Sequence, residues 1–78
     1  MTESEEIIIK FNKEEAIVLF EFLSRLNEKE NKELFEDQSE EKMLWLLEGQ
    51  LEKILVEPFM PNYREILLEA RNQIRDEE

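Results

Sequence analysis

Read for the spacing of its apolar positions, the chain divides into one alternating stretch and three helical ones. The strongest helical pattern covers residues 39–57, SEEKMLWLLEGQLEKILVE. At about 100° per residue, Met43, Ile54, Leu47, Leu51, Leu44 and Leu55 fall within about 120° of arc, and Leu46 widens it to about 180°. A coiled-coil seam uses only two positions in seven. So broad an apolar face is expected to need cover from two directions and to organise the rest of the chain. Glu41, Glu48 and Glu52 line the opposite face.

Trp45 interrupts that face, projecting among the charged residues at about 200° on the same wheel. Gly49 follows one turn later, with Val56 on the same side. A glycine inside a helix costs about 1 kcal/mol relative to alanine. Close approach by another backbone would offset that. Three readings follow: the N-terminal segment of the same chain packs over Trp45 and Gly49, a second chain does, since tryptophan is favoured at interface hot spots, or Trp45 is exposed with no role.

Residues 6–11, EIIIKF, read as the one convincing strand. Three consecutive β-branched residues suit a pleated surface. Alternation sends Ile7, Ile9 and Phe11 to one side and Ile8 and Lys10 to the other. A strand must pair its backbone groups, and the only internal candidate is the weak segment 33–36, ELFE. Three pairings remain: with that segment, with the same strand of a second copy, or with a different protein by strand addition.

Asn12, with Glu15 three positions on, has capping-box spacing and opens a helix over residues 13–27. Val18, Phe22, Leu26, Leu19, Leu23, Ala16 and Phe20 spread over about 200° of it. Ile17 falls outside that arc, toward the strand or a partner. Glu14, Glu21 and Arg25 form the wet face, and Glu21 with Arg25 has a favourable i,i+4 spacing. Residues 28–38 are a polar, acidic connector pinned by Leu34 and Phe35, with Asp37 or Ser39 capping the next helix. Pro58-Phe59-Met60-Pro61 ends that helix, because Pro58 disfavours helical geometry at Glu57. Phe59 and Met60 are expected to tuck inward. Asn62 and Glu65 repeat the capping spacing and open a third helix. Its stripe is Tyr63, Ile66, Leu67, Ala70 and Ile74, with Leu68 off the stripe.

The expected fold is therefore mainly α: one short N-terminal β-strand followed by three helices (β-α-α-α) in a small helical bundle. It forms a single domain over residues 1–78, with 1–5 and 76–78 frayed. Composition narrows its chemistry. The chain has no cysteine and no histidine, which removes disulfides, thiolate or imidazole metal sites and the usual proton shuttle. A single glycine rules out a glycine-rich phosphate loop. Glutamate pairs at i,i+4 spacing, such as Glu65 with Glu69, could hold Mg²⁺ or Ca²⁺ only weakly. In so acidic a chain that spacing arises by chance, so no metal, cofactor or catalysis is expected.

The 21 acidic and 10 basic residues leave a net charge of −11. That charge favours solubility and repels nucleic acid and anionic lipid. No apolar run approaches the ~20 residues of a membrane span. The acidic start, MTESEE, lacks the basic character of a signal peptide, so a cytoplasmic protein is expected. The candidate interface residues are Ile7, Ile8, Ile9, Ile17, Trp45, Gly49, Val56 and Leu68. They imply a small protein-interaction module that self-associates as a homodimer. The charge supports a second reading, an acidic inhibitor, immunity-like or antitoxin-like, that binds a basic protein partner.

Overall fold

Polar capping residues set where the first two helices begin. In the computed structural model, which describes residues 5–29 and 33–76, the chain forms α1 (Lys13–Glu28), α2 (Gln38–Ile54) and α3 (Tyr63–Asp76). A 3₁₀ turn at Glu57–Phe59 joins the last two. Asn12 makes the full capping box. Its side-chain oxygen accepts from the Glu15 N–H at 2.8 Å, and its own N–H donates to the Glu15 carboxylate at 2.9 Å. At α2 the cap is Asp37, which accepts from the Ser39 N–H at 2.8 Å. Glu40 reaches past it to accept from the Glu36 N–H at 2.9 Å, so the reciprocal half of the box lands one residue early. Asp76 closes α3, and the other residues expected to fray lie outside those described, except Glu5.

Among the described residues there is no strand. Residues 5–12 have no regular secondary structure, and 33–36 form turn and bend rather than a mate for them. Three isoleucines favour an extended backbone, but a strand exists only as part of a ladder. The described residues supply no second segment to pair with it.

The organising helix is α1, not α2. It packs against both α2 and α3, while α3 also meets the 3₁₀ turn. The core is one cluster: Ile17, Phe20 and Leu23 from α1, Leu51 and Leu55 from the end of α2, and Leu67 and Ala70 from α3. Ile17, expected to face a strand or a partner, is only 2% exposed. Apolar residues run almost all round α1, with Ala16 to Phe20 consecutive, so its pattern alone leaves the buried direction open. The neighbours choose the side of Ile17, Phe20 and Leu23. That choice leaves Phe22 half exposed, stacked under the Arg25 guanidinium at 5.8 Å.

Covering α2 takes less than its pattern implies. Only Leu51 within it is buried, joined by Leu55 at the cap. Met43, Leu46 and Ile54, which belong to the wide apolar arc, face outward. The corner also differs from expectation. The Phe59 and Met60 N–H groups donate back to the Val56 and Glu57 carbonyls at 3.0 Å, and in this tight turn both side chains point to solvent. In α3 the stripe is as expected, with Leu67 and Ala70 buried and Tyr63, Ile66 and Ile74 half-buried.

Candidate interaction surface

Three polar links join the helices around the core. The Asn27 side-chain amide on α1 donates to the Glu48 carboxylate on α2 at 2.6 Å, and to the Leu44 carbonyl at 3.5 Å. The Tyr63 hydroxyl on α3 donates to Glu21 on α1 at 3.0 Å, and Arg25 approaches the same carboxylate at 4.0 Å. Burial, then the bond to Glu21, push the Tyr63 pKa up to about 12. Lys13 at the start of α1 pairs with Glu57 of the 3₁₀ turn at 2.9 Å. That hydrogen bond holds the Glu57 carboxyl below its ordinary range.

With α2 clamped along its Leu44–Glu48–Leu51 edge, its opposite edge is left outward. Leu46, Gln50, Met43 and Ile54 lie within about 80° of one another on the wheel. Ile54 is 72% exposed and the other two apolar residues nearly as much. Trp45, 50% exposed, adjoins them, and with Lys42 and Leu46 it lines a shallow hollow of about 350 Å³. Gly49 lies beside this region with no close neighbour: a Cβ built there meets nothing within 4 Å. Among the described residues the close backbone approach expected at Gly49 is therefore absent, and Trp45 is left half exposed.

The residues singled out from the sequence separate into three groups. Ile7, Ile8 and Ile9 form an exposed ribbon, Ile7 at 86%. Trp45 and Gly49 share one side of α2, with Trp45 exposed, whereas Val56 lies past the end of the helix, exposed beside the extended Leu55 cap. Leu68 is exposed on α3, apart from both. Ile17 belongs to the core. Pattern reading missed Met43, Leu46 and Ile54 because it assigned them to the interior. The clue was the width of the arc itself: one neighbouring helix covers about 100° of a helix face, and only α1 packs closely on α2.

A separate open groove of about 370 Å³ runs between α1, the 3₁₀ turn and α3, with Lys13, Ile17, Glu57, Met60, Ile66 and Ala70 on its walls. One Glu57 oxygen is buried there without a hydrogen-bond partner, while the other takes the lysine. Among the described residues no cluster of three or more acidic side chains could hold a metal ion, and no helix is long and apolar enough to cross a membrane. The chain matches no protein family, no curated protein and no solved structure.

Proposed function

We propose that this chain is a small acidic protein-interaction module of the cytoplasm that self-associates as a homodimer. Residues 6–11 and the outer face of α2, with Trp45 at its edge, are the joining surfaces. The observation that carries this reading is an excess of surface. A folded monomer of 9.5 kDa exposes about 5,000 Å² by area–mass scaling, whereas this chain exposes 6899 Å². Its radius of gyration is 14.6 Å, against about 11.5 Å for a compact domain of this length. The exposed segment 5–11 and the outward face of α2 both contribute to that excess. Much of what is exposed is apolar: Ile7, Ile8, Ile9, Met43, Leu46 and Ile54 contribute to it, together with Trp45. Contiguous apolar patches on a monomer seldom exceed about 300–600 Å².

Sedimentation equilibrium at micromolar concentration, run across a salt series, tests this. The expected mass is twice the 9.5 kDa chain mass. Two bodies of charge −11 repel each other, so added salt screens the repulsion and tightens the dimer. A strict monomer at every salt concentration overturns the proposal. A monomer that binds a basic protein more weakly as salt rises is the result expected of the acidic-inhibitor reading.

A further inference from the structure

We infer that residues 6–10 of two copies pair as an antiparallel two-stranded ribbon centred on Ile8, with Glu6 of each copy opposite Lys10 of the other. This rests on the self-association reading above and specifies its geometry. The segment is available: residues 5–11 take part in no backbone hydrogen bond among the described residues, and all their side chains are exposed. It is also held at one end, because Asn12, the next residue, is locked into the cap of α1. A ribbon formed here is tied to the bundle without a linker.

The register follows from charge. In an antiparallel pair, directly opposed residues lie on the same face and interact most strongly. Centring on Ile8 opposes Glu6 with Lys10 twice, Ile7 with Ile9 twice, and Ile8 with itself. Centring on Ile9 opposes Lys10 with Ile8 and asks Asn12 to join the ladder, although its N–H already serves the Glu15 carboxylate. Centring on Ile7 opposes Glu6 with Ile8 and Glu5 with Ile9. A half-step register, centred between Ile8 and Ile9, sets Lys10 against Ile7 and Glu6 against Phe11. Parallel in-register pairing brings Glu6 beside Glu6 and Lys10 beside Lys10. Only the Ile8 register gives each charge an opposite one. Lys10 is the one basic residue among the first twelve of a chain whose net charge is −11.

The product suits the rest of the surface. One face of the ribbon carries Ile7 and Ile9 from both strands, and the other carries the Ile8 pair between two Glu–Lys pairs. An isolated two-stranded ribbon is marginal in water, so the four-isoleucine face needs cover. Five extended residues span about 17 Å. The outward stripe of α2 from Met43 to Ile54 spans about 16 Å, and it is the other large uncovered apolar surface of the same molecule.

Engineered cysteines and a charge swap test the register, since the natural chain has no cysteine. Opposed Cα atoms across an antiparallel pair lie about 4.5–5.5 Å apart, within disulfide reach. Ile8→Cys is expected to form an interchain disulfide under mild oxidation, and Ile9→Cys is not. E6K and K10E are each expected to weaken dimerisation about tenfold, with E6K/K10E returning to within about threefold of the natural chain. E6K is the sharper arm, because it moves the net charge from −11 to −9 (−11 + 2) and general repulsion alone would then favour the dimer. Far-UV circular dichroism confirms the helices in each variant, none of which alters the core. A dimer that crosslinks through Ile9→Cys but not Ile8→Cys overturns this register. A dimer indifferent to all five variants overturns the ribbon and leaves self-association through α2 standing. A monomer throughout overturns both.

Discussion

Helices α1 and α2 are nearly equal in length, 16 and 17 residues, and both carry more apolar residues than one face can hold. They end in opposite situations. α1 lies between two neighbours and buries Ile17, Phe20 and Leu23. α2 lies against one and buries Leu51 alone within its length, with Leu55 just beyond. An apolar arc reports how much surface a helix seeks to hide, not how much its own chain provides to hide it. The difference between those two quantities, over α2 and the segment before α1, is the apolar surface that the proposed dimer would cover.

The largest expected effects separate the two regions directly. Leu23→Ala in α1 is expected to cost about 2–5 kcal/mol, enough to unfold much of a domain this small. Leu46→Ala on the outside of α2 changes the stability of the single chain by less than about 0.5 kcal/mol. Denaturant melts at low concentration measure both, and equal losses would erase the distinction. Next comes Trp45→Ala. It is expected to weaken the dimer by about 2 kcal/mol, in the range of interface hot spots, with no loss of helical signal. Sedimentation at several concentrations reads the change, and unaltered association would remove Trp45 from the interface.

Gly49→Ala sharpens the comparison from within α2. The glycine has no positive φ, and a Cβ there meets nothing. The substitution should therefore stabilise the single chain by about 0.5–1 kcal/mol through helix propensity. If the same variant dimerises less well, the glycine serves a contact outside its own chain. A raised melting temperature with unchanged association would mean that it serves none.

The last effect is confined to alkaline pH and concerns the α1–α3 joint. The Tyr63 pKa is raised from 10.0 to about 12 in the folded chain. Between those values the unfolded state has lost a proton that the folded state keeps, so stability falls as pH rises through that window. Tyr63→Phe should flatten this alkaline decline. The ionisation is also readable by ultraviolet absorbance, since the chain has a single tyrosine. A transition centred near 10 would show that the hydroxyl is not buried against Glu21.

Much of the local structure was legible in the residues. The Asn12–Glu15 box starts α1, Asp37 caps α2, Pro58 follows the end of α2, and the α3 stripe has Leu67 and Ala70 at its centre. Each depends on side chains a few residues apart, which sequence order brings together without help from the rest of the fold. What could not be read was which helix stands in the middle. Several apolar directions were open to α1, and the wider arc of α2 pointed to the wrong answer. The joints were equally hidden: Asn27 to Glu48, Tyr63 to Glu21 and Lys13 to Glu57 pair residues 21, 42 and 44 positions apart.

By itself, then, the sequence determined three helices, the caps that open the first two, an isoleucine segment with no mate among the described residues, and a strongly acidic balance. These follow from dihedral preferences, short-range hydrogen bonds and net charge, all properties of neighbouring residues. Tertiary packing alone decided that Ile17 lies inside while Met43, Leu46 and Ile54 lie outside. Burial is a competition for limited contact area among all the helices at once, and its outcome is settled only when they meet.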